Sequence, residues 1–131
     1  MATVKTMVSG SRKLIVNITG TFSVSDESNV VVINRSDLTG PGGAIPGRIR
    51  VDEITWAVGV GFDYVLLDWD DATDEVIEYL QGQGYMDYRP YGGKSMLGDP
   101  TTDTEGDIQL STLGGATGDT YSILLHCTLK N

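Results

Sequence analysis

An all-β fold is predicted from three features of the sequence, in the form of a single β-sandwich or jelly-roll-like domain with Gly-rich turns. First, apolar residues alternate with polar ones at a period of two in several stretches, as they do in strands with one buried face. Second, 17 glycines in 131 residues supply many tight turns and few long helices. Third, clusters of turn formers recur at near-regular spacing between short apolar runs, which is the rhythm of sandwiches and barrels.

Residues 1–12 are read as an N-terminal arm or edge strand, and residues 13–131 as the sandwich domain. Between Lys13 and Val24 the side chains of Leu14, Val16, Ile18, Phe22 and Val24 share a face that Gly20 continues. Lys13, Asn17, Thr19, Thr21 and Ser23 occupy the other face, with Ile15 as the exception. Val30–Ile33 is a run of β-branched residues and is expected to be a strand buried on both faces. Ser36–Gly47 contains Gly40-Pro41-Gly42-Gly43 and reads as a long surface loop. Ile54, Trp56, Val58, Val60 and Phe62 then define a further strand face. Thr55, Ala57, Gly59 and Gly61 lie opposite, small enough for another backbone, a covering loop or a neighbouring subunit to approach closely.

Tyr64–Trp69 is a strongly apolar strand. The stretch Ala72–Gln81 admits two readings. Thr73 or Asp74 would cap a short helix ending near Leu80, with acidic residues in its first turn. Val76, Ile77 and Tyr79 favour extended backbone, and Gly82 and Gly84 close the segment early, so a strand is the reading adopted. Tyr85, Met86 and Tyr88 form another strand before the break at Pro90–Gly93. A loop over Ser95–Gly106, a strand over Asp107–Thr112 and a Gly-Gly turn follow. In the last strand Tyr121, Ile123, Leu125, Cys127 and Leu129 share one face, while Ser122, Leu124, His126 and Thr128 share the other.

At this length roughly 68% of the unfolded chain's surface is buried on folding, enough for a core without disulfide or metal staples. No segment approaches the run of about 20 apolar residues that spans a membrane, and Met1–Gly10 lacks the apolar region of a secretory signal. Asn17-Ile18-Thr19 and Asn34-Arg35-Ser36 therefore read as chance sequons. The lone Cys127 has no internal disulfide partner, which suits a chain that matures in a reducing cytoplasm. A net charge of −9 argues against nucleic acid as a partner. The charge is uneven: residues 1–50 carry six basic and three acidic side chains, and the remainder carries three basic and fifteen acidic. Such a chain is well solvated, or it is a dipolar module whose acidic side meets a basic partner or another copy.

Catalytic patterns fail one by one. His126 and Cys127 are strand neighbours whose side chains point to opposite faces, so they cannot form a nucleophile pair. No Gly-x-Ser-x-Gly elbow accompanies the single histidine, and one Cys with one His is too few for structural zinc. Asp68, Asp70, Asp71, Asp74, Glu75 and Glu78 form an acidic cluster. As an EF-hand loop it would place Thr73 where glycine is needed and Tyr79 where glutamate is needed, so it fails. Two of these acids could serve a glycosidase, but such enzymes add an aromatic sugar cleft, and a sandwich core claims most of the rings. Gly40–Gly47 ends in no Gly-Lys-Ser/Thr and is no nucleotide loop. No catalytic residue, metal or cofactor is assigned, and the chain is not expected to be an enzyme.

Four pieces of the C-terminal half have a familiar order and spacing. They are Trp69-Asp70-Asp71-Ala72-Thr73-Asp74, then Gly84-Tyr85-Met86-Asp87-Tyr88, then Tyr91-Gly92-Gly93. The fourth is Gly106-Asp107-Ile108-Gln109-Leu110-Ser111-Thr112, followed by Gly118-Asp119-Thr120-Tyr121-Ser122-Ile123-Leu124 and Lys130. In this pattern residues 54–130 resemble small virion structural proteins of tailed bacteriophages. The resemblance implies a capsid decoration or cement protein, assembled in the host cytoplasm and carried on the virion's capsid surface. It implies the major capsid protein as partner, self-association as a trimer or dimer, and no catalytic residues. An alternative is a phage fibre or carbohydrate-binding module that stacks host glycans on residues such as Trp69 or Tyr91. Expected partner contacts are Arg12, Leu38, Pro41, Ile45, Arg48 and Arg50, because the 38–50 loop and the N-terminal arm are relatively basic and flexible.

Overall fold

The alternating apolar faces pack against one another as two antiparallel sheets. The computed structural model describes residues 2–131. One sheet contains, in spatial order, β1 (Thr3–Ser9), β2 (Lys13–Thr21), β9 (Thr120–Lys130), β4 (Arg48–Val58) and β7 (Gln83–Asp87). The other contains β3 (Val30–Ile33), β8 (Ile108–Gly114), β5 (Phe62–Trp69) and β6 (Glu75–Leu80). No α-helix occurs among the described residues, and the predicted all-β sandwich is the architecture found.

β9 is central to the first sheet, pairing with β2 from Thr120 to Thr128 and with β4 from Tyr121 to Lys130. Its predicted apolar face is buried in full, from Tyr121 through Leu129, against Val65, Leu67, Trp69, Ile77, Ile108 and Leu110 of the facing sheet. Two glycines make room for rings on neighbouring strands. A Cβ at Gly20 would lie 2.3 Å from the Tyr121 ring, and one at Gly84 would lie 2.3 Å from Trp56. Each pair is directly opposed in register. The aromatic ring thereby covers backbone that would otherwise be bare.

The segment with two readings is a strand: Glu75–Leu80 pairs with β5, burying Ile77 and Leu80. The N-terminal stretch takes the edge-strand form over Thr3–Ser9, exposed along its length. Three expectations need correction. The face drawn from Ile54 to Phe62 is not one strand: β4 ends at Val58, Val60 is fully exposed, and Phe62 begins β5 in the other sheet. Gly59 and Gly61 make that reversal possible, since a Cβ at Gly59 would press on the Thr120 carbonyl and one at Gly61 on the Asp119 carboxylate. Close backbone approach was thus correctly expected at Gly59, whereas Thr55 and Ala57 are exposed. Val24 lies outside β2 and is exposed, because the strand stops at Thr21. β3 is not buried on both faces, since it is an edge strand and Val31 points to solvent.

The 34–47 loop is more ordered than its composition suggests, with 3₁₀ turns at Arg35–Asp37 and Pro41–Gly43. Its organiser is Arg35, which is buried. The guanidinium donates to the carbonyls of Glu105 (2.8 Å), Pro46 (3.0 Å) and Thr102 (2.8 Å), while the Arg35 backbone N–H donates to Asp107 Oδ1 at 2.8 Å. The Arg35 side chain therefore ties the 34–47 and 95–106 loops together, and its backbone N–H joins them to the start of β8.

Removing that side chain leaves three inward-facing carbonyls short of donors, each costing about 1–3 kcal/mol. Arg35→Ala is expected to lower unfolding free energy by about 3 kcal/mol or more in urea titration, and Arg35→Lys to recover only part of the loss. Gly20→Ala forces the Tyr121 ring to move and should cost about 1–3 kcal/mol in the same measurement.

Candidate interaction surface

The expected contact residues fall into two groups. Arg12 lies in the β1–β2 turn, where its carbonyl accepts from the Leu129 N–H, and Arg48 pairs in register with Lys130. Lys13 and Arg50 both pair with Thr128, so Arg12, Arg48 and Arg50 gather at one end of the first sheet. Leu38, Pro41 and Ile45 lie along the Arg35-tethered loop, and Leu38 packs against the core. Only Arg12 and Ile45 of the six are well exposed. Arg48 and Arg50 are engaged within the chain: Arg48 with Asp99, and Arg50 with Asp52 (2.8 Å) and the Thr128 hydroxyl (3.3 Å). Arg48 and Arg50 belong to β4 and not to the 38–50 loop in which the sequence placed them, because the loop ends at Gly47.

Strand geometry sends Glu75 and Glu78 of the acidic cluster to other partners and leaves Asp68, Asp70, Asp71 and Asp74 close together around the β5–β6 turn. Asp71 and Asp74 fold back on the β5–β6 turn, with Asp74 accepting from the Asp71 N–H and Asp71 from the Ala72 N–H. Glu75 accepts from the Leu97 N–H, and Glu78 accepts from the Tyr88 hydroxyl. Among the described residues no group of three or more His, Cys, Asp or Glu side chains is arranged to hold a metal ion. Cys127 is fully buried, and desolvation pushes its thiol well above the usual range, with the Asp52 charge adding to the effect. His126 lies on the opposite face, its Nδ1 4.0 Å from Glu53 Oε2. Trp69 is a core residue and cannot stack on a sugar, whereas Tyr91 is exposed.

The surface that sequence reasoning missed is the outer face of the second sheet. Strand alternation turns Val65, Leu67 and Trp69 inward, and so turns Tyr64, Leu66 and Asp68 outward. Register then sets Val31, Gln109, Asp68 and Val76 in one cross-strand row. The next row holds Ser111, Leu66 and Tyr79, and the last holds Leu113 and Tyr64. Val31, Val76, Tyr79 and Leu113 are each between 44% and 51% exposed. Tyr64 and Tyr79 meet edge to face at 5.0 Å. In the first of these rows, at the end of the face beside the β5–β6 turn, Asp68 is 5% exposed and Gln109 is 7% exposed. Asp68 Oδ1 and Gln109 Oε1 are buried acceptors without a hydrogen-bond donor.

Desolvation, reinforced by the charges of Asp74 and Asp70, pushes Asp68 from 3.8 up to about 6. Asp70 and Asp107 are raised for the same leading reason. An open depression elsewhere is lined by hydroxyls, with Thr3, Thr19, Thr21, Thr120 and Ser122 around it.

A carboxyl whose pKa is higher folded than unfolded binds more protons in the native state between the two values. Stability from this group is therefore present at low pH and is lost as pH rises from about 4 through about 6. Asp68→Asn should stabilise the protein by about 1–3 kcal/mol at pH 7.5 and by little at pH 4, read as the difference between wild-type and variant urea curves. Comparison with protein-family models, curated proteins and solved structures gives no match, so a functional reading rests on the chemistry of these faces.

Proposed function

We propose that the chain is a viral structural protein, a capsid decoration or cement protein that binds the outer surface of a phage head and stabilises it without catalysing a reaction. The observation that carries the reading is the outer face of β3-β8-β5-β6, a contiguous apolar surface on a domain whose other features are those of a binding module. Exposed apolar patches of this kind commonly mark association sites. The sequence resemblance to tailed-phage virion proteins points the same way.

We also read the sandwich as a jelly roll. Support comes from the strand order, in which β2-β9-β4-β7 faces β3-β8-β5-β6 and β1 extends one edge. Jelly rolls occur in viral shells and in lectins, so the fold is compatible with the glycan-binding alternative, and the character of the surface favours the first. With Trp69 buried and the Trp56 ring laid over Gly84, neither tryptophan offers an open stacking platform. An acidic module suits a basic region of the major capsid protein, with complementary charge guiding approach. Repetition around the shell, with trimers or dimers at its axes, turns modest single contacts into firm attachment. Cytoplasmic maturation fits a chain with a single buried thiol.

Quantitative mass spectrometry of purified particles that encode this chain tests the reading. A copy number matching that of the capsomers is the expected result. Absence from particles, or only a few copies on each, would overturn it.

A further inference from the structure

Exposed apolar side chains scattered singly are ordinary, so the contiguity of this sheet face and the two acceptors at one end of it are what matter. Asp68 and Gln109 are directly opposed across β5 and β8, and both are more than nine-tenths buried. Val31 and Val76 flank them in the same row. A carboxylate oxygen and an amide oxygen held there without donors are costly, and a donor brought from outside would relieve both. We propose that the outer face of β3-β8-β5-β6 docks an aliphatic partner surface carrying a lysine or arginine, whose cationic donor reaches the Asp68–Gln109 pair.

Charge selects the partner. Asp70 and Asp74 stand close enough to act electrostatically on Asp68, so this end of the face is negative and favours a cation. A second copy of this chain is the poorer occupant. Face to face it would bring together two bodies of net charge −9 without supplying a cation to Asp68. Side-chain rotamer changes of the kind usual at interfaces would open Asp68 Oδ1 to the incoming donor. In the complex a charge-assisted hydrogen bond sits between Val31 and Val76, partly shielded from water, an arrangement in which single residues dominate binding. The inference rests on the shell-binding reading only for who the partner is.

The first arm of the test uses n-butylguanidinium, an aliphatic cation of arginine chemistry, titrated into the labelled protein and followed by amide NMR. Saturable shifts at Leu66, Asp68, Val76 and Gln109 that disappear in Asp68→Asn are expected. No shifts, or shifts spread over Asp71, Asp99 and Asp103 and unchanged in Asp68→Asn, would overturn the site. The second arm measures binding to particles lacking this chain. Asp68→Asn, and separately Tyr79→Ser with Leu113→Ser, should weaken binding at least tenfold, while Thr55→Ala on the other sheet should bind as wild type. Because Asp68→Asn is expected to stabilise the fold, its loss of binding would not reflect unfolding. If wild type binds particles and the face variants bind equally well, the shell reading stands and this docking site falls. If wild type ignores particles while the guanidinium saturates the face, the shell reading falls and a basic apolar partner remains. A wild-type dimer in sedimentation that Leu113→Asp dissociates would assign the face to a second copy and overturn the proposal.

Discussion

A guanidinium buried away from water must be surrounded by acceptors, and Arg35 meets that demand with three backbone carbonyls from two loops. The constraint runs in both directions, because the 34–47 and 95–106 segments have little regular structure of their own. Through Pro46 the arginine holds the approach to β4, where the Gly47 N–H then meets the Lys130 carbonyl of the first sheet. Through Asp107 it holds the start of β8, and the Asp107 carbonyl in turn accepts from the Asp70 N–H at the end of β5. Both sheets are thus joined at one end by a single side chain and its carbonyl cage.

That anchoring shapes the surface beside it. With Asp107 and Asp70 locked together, the acidic β5–β6 turn is held next to the end of β5, and Asp68 lies in the row that follows. Its carboxyl therefore sits between valines and near other negative charges, which is why its proton is held more tightly than usual. The two outer faces of the sandwich differ as a result. On the first sheet one cross-strand row runs Lys5, Asn17, Leu124, Thr55 and Tyr85, mixed and mainly polar. The facing sheet presents valine, leucine and tyrosine, with two unpartnered acceptor oxygens at one end. A face of that composition is stable in water only at a cost, and association is the physical process that removes the cost.

Much of the fold was legible from alternation. The buried face of β9, from Tyr121 to Leu129, follows from a period of two over eleven residues, and so does the opposition of His126 and Cys127. Val76, Ile77 and Tyr79 outweighed the helix-capping signal of Asp74 because β5 offered a partner for an extended segment. The break between Val58 and Phe62 was harder to see. Alternation continues through a tight reversal without a change of parity, so Val60 looks like a core residue and is a turn tip. Charge and loop composition also do not register that Arg48 and Arg50 have partners in Asp99 and Asp52.

The sequence by itself determined most of the strands and most of the apolar faces that they bury. Those properties are local, written in the spacing of side chains along an extended backbone. Tertiary structure alone decided that Arg35 is interior, because its acceptors come from positions eleven to seventy residues away. It also decided that Asp68 and Gln109 share one place on the surface, since they meet only through the register of β5 with β8. Pairing partners of a strand are set by the packing of the whole chain, and no window of the sequence contains them.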